Sequence, residues 1–256
     1  MSTTSRRLSA PIGSANSIAL LVGTLGASYG VSQFLRNSVG VIAPNLAEEL
    51  GISATQIGVL SSTFFFSFAA AQLPLGVAID RYGPKRCMLA CGLVVIAGIA
   101  MFATASTLLG LVTARFLMGV VTSCYLMAPL ALCARAFAPD RFTPLAGLQL
   151  GLGSIGTLMA TAPLGLAAAA IGWRATFLCV AGVVALLGVL IAGVIGNAPS
   201  KPRASGETLG QSLAGIGETL RTPSVPRLFL MHMASYSSFV LVVGLATTSP
   251  NAATFC

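Results

Sequence analysis

Charge is what this sequence is short of. Of its 256 residues only 8% are Asp, Glu, Lys or Arg, and only 6 are acidic, where a soluble domain carries about 25% charged residues. A chain so poor in charge cannot cover a water-facing surface, which excludes an ordinary soluble domain. Histidine is nearly absent too, with one residue, His232. The six cysteines, Cys87, Cys91, Cys124, Cys133, Cys179 and Cys256, form no paired framework, and five lie in or at the ends of apolar stretches, where they read as small polarizable hydrophobes. Cys87 and Cys91 share a helical face, but no His or carboxylate joins them, so no metal site is expected. There is no nucleophile with a base partner and no phosphate-binding loop, so neither an enzyme nor a cofactor is expected.

What is there is apolar and runs long. Hydrophobic residues make up 55% of the chain, the mean hydropathy is +0.90, and stretches such as Leu89 to Leu111 and Phe177 to Ile195 contain no charge at all. About 20 such residues cross a hydrocarbon core of about 30 Å at about 1.5 Å per residue. The partner this composition demands is a lipid bilayer. The net charge of +8 and pI near 9.7 do not point to nucleic acid, because the basic residues stand singly or in short clusters between apolar spans, without aromatic interleaving.

Apolar runs read against their breakers predict seven helices, roughly 17–43, 55–79, 87–106, 108–132, 143–169, 174–196 and 226–246. The expected organisation is a cytoplasmic tail 1–16, a six-helix transmembrane bundle 17–196, a cytoplasmic loop 197–225, a seventh transmembrane helix 226–246 and a short tail 247–256. Arg6 and Arg7 before the first span read as the flank of an uncleaved helix, since the apolar run is too long for an export signal. The connections alternate in charge, with eleven of the fourteen basic residues on one side and Glu48, Glu49 and Arg174 on the other. By the positive-inside rule the N-terminus is cytoplasmic, in an inner or plasma membrane. In the polar linker, Leu209, Leu213, Ile216 and Leu220 recur at helical spacing, which fits a surface-lying amphipathic helix as well as a plain loop.

Between the second and third spans the chain reads Gly76-Val-Ala-Ile-Asp80-Arg81-Tyr-Gly83-Pro84-Lys85-Arg86. Gly76 admits a close neighbour, Gly83 a tight turn, and the cations hold the loop on the cytoplasmic side. This loop resembles the signature of the major facilitator superfamily, with Pro84 where that family most often has Arg. Pro44 with Glu48 and Glu49, Arg115-Phe-Leu-Met-Gly119, and Gly172-Trp173-Arg174 follow in the matching order. The resemblance implies an all-α membrane protein: a six-helix N-terminal bundle of two inverted three-helix repeats, plus one further transmembrane helix. It also implies that Asp80 latches onto a helix N-terminus of a second bundle, making Gly76, Asp80, Arg81, Gly83, Lys85 and Arg86 a conformational gate. Only one helix of that second bundle is expected within the chain, which reads as a truncated carrier.

A charged side chain at mid-membrane costs about 2.5–3.5 kcal/mol on insertion scales, so intramembrane ions are functional candidates. Two are deep here, Arg36 in the first span and Arg115 in the fourth, at similar depth. Arg36 belongs to a polar stripe with Tyr29, Gln33 and Gly40, and Asn37 lies beside it; the fourth span adds Thr122 and Tyr125. Arg36, Gln33, Tyr29, Arg115 and Tyr125 are therefore the expected solute-binding residues. Two guanidinium forks without an intramembrane carboxylate suit an anion. For Arg115 a structural role, bonding helix-end carbonyls or Glu48, is an equal alternative. Gln72 and Gln149 offer further hydrogen bonds, and His232 reads as packing rather than as a proton relay.

The expected function is secondary active transport of a small anion by alternating access, with a proton as the coupling ion to be considered. Export of drugs in exchange for protons is an alternative that the fifth-span glycines (Gly147, Gly151, Gly153, Gly156) half support. From another class, the chain reads as a non-transporting fragment or a membrane sensor.

Overall fold

The computed structural model describes residues 15–137 and 139–195, with Leu230, Met231 and Ala234. The expected linker and His232 lie outside the described residues, as does the expected seventh span apart from those three positions. The described chain up to residue 195 belongs to one compact unit, Met1–Arg203. It consists of α1 (Ala15–Leu50), α2 (Ala54–Tyr82), α3 (Pro84–Thr104), α4 (Leu108–Thr122), α5 (Cys124–Ala136), α6 (Pro139–Met159), α7 (Ala162–Ile171) and α8 (Trp173–Val194). No strand occurs among the described residues.

Five apolar stretches, α1, α2, α3, α4 with α5, and α8, are each long enough to cross a membrane, and α6 with α7 supplies a sixth as a pair bent by 41°. The bend falls just before Pro163, the second residue of α7, which lacks a backbone donor. Pro44, by contrast, is absorbed: α1 continues through it to Leu50 and stops at Gly51, whose φ of 64° only glycine adopts freely. The helix thus carries Glu48 and Glu49, where the sequence suggested an end near residue 43. Buried hydroxyls bond within their own helices, as Ser28 does to the Thr24 carbonyl at 2.8 Å and Thr122 to that of Met118 at 2.7 Å. Polar atoms are thereby satisfied where no water is available.

The packing has a hidden exchange rule. Counting α4–α5 and α6–α7 as one span each, the most extensive contacts join span 1 to span 5, span 2 to span 4, span 3 to span 4 and span 3 to span 6, followed by span 1 to span 6. Swapping spans 1, 2 and 3 with 4, 5 and 6 maps every one of these pairs onto another of them or onto itself. This is the pattern of two three-helix repeats. The closest approaches obey the same exchange. A methyl on Gly156 of span 5 would overlap the Gly30 carbonyl of span 1, and one on Gly119 of span 4 would overlap Ser67 Oγ of span 2. Small residues there let the backbones meet.

The ends are fastened by matched devices. Gly83 (φ 86°, ψ 152°) and Gly172 (φ 83°, ψ 149°) each form a one-residue connection, joining α2 to α3 and α7 to α8. Two residues after Gly83, Lys85 Nζ donates to the Ala192 carbonyl at the end of α8 at 2.9 Å. Two residues after Gly172, Arg174 Nη1 donates to the Ala103 carbonyl at the end of α3 at 2.6 Å. Spans 3 and 6 are thus tied at both ends by cations on C-terminal carbonyls, where the helix dipole favours them. At the Gly172 end, Glu49 also accepts from Trp173 Nε1 at 2.5 Å and Arg174 Nε at 2.8 Å, beside the cluster of Phe102, Trp173 and Phe177.

Candidate functional site

Arg115 is fully buried. Its Nη1 donates to the Leu35 carbonyl in the middle of α1 at 2.7 Å, and its Cζ lies 4.6 Å from the centre of the Phe64 ring of α2. The acceptor is an internal carbonyl, not Glu48 or a helix end. Nε and Nη2 have no hydrogen-bond partner. The next residue after Leu35 is Arg36, which is half-buried. Its Cζ lies 4.5 Å from the Phe68 ring centre and 5.8 Å from that of Phe65, and its Nε is buried without a partner. Phe64 and Phe68 are themselves stacked, with centroids 6.3 Å apart and planes at 16°. The two arginines are therefore joined by one aromatic ladder on span 2, in the order Arg115, Phe64, Phe68, Arg36.

A cation over a ring face is attracted by the quadrupole, by about 0.5–2 kcal/mol depending on desolvation. No carboxylate contributes here: among the described residues, the acids Glu48, Glu49, Asp80 and Asp140 all sit in the terminal turns of helices. Rings and one carbonyl therefore hold both cations without neutralising them. This leaves Arg36 able to bind an anion through its planar fork.

The other expected residues divide. Gln33 is half-buried, one turn from Arg36, and its Oε1 has no partner. Tyr29 is buried with its ring in the notch left by Gly153, which places it in the packing between spans 1 and 5. Tyr125 is buried on the α3 side, where a methyl on Gly92 would come within 3.0 Å of its hydroxyl. The structure does not bring it to Arg36. Gln149 is buried in α6 with both amide atoms unpartnered. Among the described residues no group of three His, Cys, Asp or Glu is arranged to hold a metal.

The loop residues lie at the opposite end of the bundle from Glu49. Asp80 pairs with Arg135 of α5 at 2.6 Å, both side chains being partly exposed. Arg81 and Arg86 are exposed, Arg81 with its Cζ 5.4 Å from the Tyr82 ring, and Gly83 makes the turn that Pro84 continues as the first residue of α3. Gly76 faces only Met127 Cε, 3.5 Å from where a methyl would stand, so nothing within this bundle demands a glycine there. A cavity of about 270 Å³ lined by Ile18, Phe137, Arg141, Pro144, Leu145 and Leu148 opens at this end. Its wall at Ile18 lies about 27 Å along the α1 axis from Arg36 at about 1.5 Å per residue, so it contains none of the expected solute-binding residues.

Phe64, Phe65 and Phe68 were not legible as site residues. In the run Phe64-Phe65-Phe66-Ser67-Phe68 nothing separates ring from ring, and Phe66 is 72% exposed, as befits a lipid-facing residue. The signal was their spacing: Phe64 and Phe68 share a helical face.

An inverted-repeat helical bundle with cations inside it is an architecture of secondary transporters. The sequence matches the Major Facilitator Superfamily over residues 17–254, and the chain belongs to that family. It is a multi-pass membrane protein. Similar proteins include an efflux pump of the same superfamily from Mycolicibacterium smegmatis, 29% identical over 91% of this chain and 52% of the relative. A probable L-galactonate transporter of Escherichia coli is 48% identical over 23% of this chain and 13% of its own length. A probable sulfoacetate transporter of Cupriavidus necator is 29% identical over 29% and 17%. The chain thus spans at most about half the length of these relatives.

Proposed function

We propose that the chain is the first bundle of a secondary carrier for a small organic anion, with the solute's acid group seated on Arg36 and moved by alternating access. The observation that carries this is the half-buried Arg36 guanidinium, held by rings and faced by no carboxylate among the described residues. Similar proteins are named as transporters, two of them as probable ones, of L-galactonate, sulfoacetate, hexuronate and phosphoglycerate; all four solutes are anions, which supports the same solute class. The organisation proposed is the bundle 17–196, the loop 197–225 and a seventh helix 226–246, with the Asp80 and Arg135 end facing the cytoplasm. Asp80 and its loop neighbours Arg81, Lys85 and Arg86 form the gate at that end, and a proton is the coupling ion to test first.

Arg36→Gln, made in a full-length relative carrying this bundle, is expected to abolish uptake of labelled L-galactonate at normal expression. Unchanged uptake would refute the solute assignment. A second reading, export of drugs or hydrophobic compounds, is favoured by one observation: a similar efflux pump aligns along 91% of this chain. Dye efflux that persists in Arg36→Gln would select it.

A further inference from the structure

Resting on that reading of Arg36, we infer that Phe68 is a positioning residue: it holds the guanidinium flat on its ring so that the N–H groups stay free for the solute's acid. Three observations meet at this point. Phe68 is buried and its ring centre is 4.5 Å from Arg36 Cζ. Its other support is the stack on Phe64, which in turn carries Arg115 at 4.6 Å. Arg36 Nε is buried with no acceptor, so no hydrogen bond from it competes with the ring for the orientation of the group.

The chemistry gives the arrangement its value. A carboxylate in the place of Phe68 would take the fork bidentately and cancel its charge. A ring attracts the cation through its face and offers no lone pair, so the in-plane donors remain unspent. The site then favours oxyanions that can accept from two donors at once, carboxylate or sulfonate, and repels cationic solutes.

The test uses the full chain in lipid nanodiscs, wild type and as Phe68→Leu, Phe68→Trp, Arg36→Gln and the lipid-facing control Phe66→Leu. Two quantities are read: the rate at which phenylglyoxal modifies Arg36, followed by mass spectrometry without solute, and the Kd for L-galactonate and sulfoacetate by calorimetry. Phe68→Leu is expected to speed modification and weaken anion binding, each by about tenfold, the size of a partly desolvated cation–π contact. Phe68→Trp is expected to restore both, and Phe66→Leu to change neither. A Phe68→Leu rate equal to wild type overturns the inference, as does a Phe68→Trp protein as reactive as Phe68→Leu, since packing alone would then be at work. If the wild type binds neither anion, or Arg36→Gln binds as well as wild type, the solute reading fails, and the modification rates alone decide the role of Phe68.

Discussion

Arg115 shows how magnitudes decide a role. Its bond to the Leu35 carbonyl is a charged hydrogen bond, contributing about 1.5–3 kcal/mol, but each of its two buried donors without a partner costs about 1–3 kcal/mol. The balance does not favour the arginine as a stabiliser. Arg115→Met, which fills the space and removes the orphaned donors, is expected to leave the thermal midpoint unchanged or raised, as for other buried ions replaced by apolar groups. A fall of many degrees would show that the Leu35 bond outweighs the penalty. Gly156 is the opposite kind of residue. Its neighbour is the Gly30 backbone, which cannot yield as a flexible side chain can. Gly156→Val is expected to lower stability by about 1–3 kcal/mol through overpacking, whereas Gly182→Ala, with nothing within 4 Å, should be silent. Thermal unfolding followed by light scattering separates the two.

Among the elements, the helices were readable from the sequence because about twenty uncharged residues in a row admit few other fates. Their breaks and ends were less so. Pro44 and Pro163 are the same residue type, yet one lies inside α1 and the other opens α7 after a bend; which of the two occurs depends on neighbouring helices, not on proline. Arg36 stood out because an intramembrane charge is rare, while its aromatic support did not, since a phenylalanine facing lipid and one facing a guanidinium look alike in sequence. The Glu49 clamp combines groups 124 and 125 positions apart and was equally out of reach. Its test is optical. Trp173 is the single tryptophan, so Glu49→Ala, which removes the acceptor of its Nε1, is expected to change its emission and acrylamide quenching, whereas Glu48→Ala should not. Identical spectra for both variants would mean that the clamp does not form in the membrane. The Asp80–Arg135 pair is partly exposed, and a double-mutant cycle on it should return only about 0.2–1 kcal/mol.

For the whole molecule, the exchange rule makes assembly a joint act of the two repeats. The most extensive packing of every span crosses between them, so neither set of three helices buries its own interface. Fragments 1–106 and 107–256, divided in the connection between α3 and α4, are expected to be degraded when expressed singly and to co-purify when expressed together. Stable accumulation of the first fragment alone would contradict the interlocked packing. The aromatic ladder has a consequence at this scale as well. Between the two end clusters the described bundle has no carboxylate and no imidazole, the side chains whose charge ordinarily changes as a medium is acidified. Acidifying the medium from pH 8 to pH 5 therefore meets no such group in this interior. If transport by the complete carrier follows a proton gradient, the group that senses acidity is not on the ladder, and the ladder acts as a constant positive field against which that distant group works.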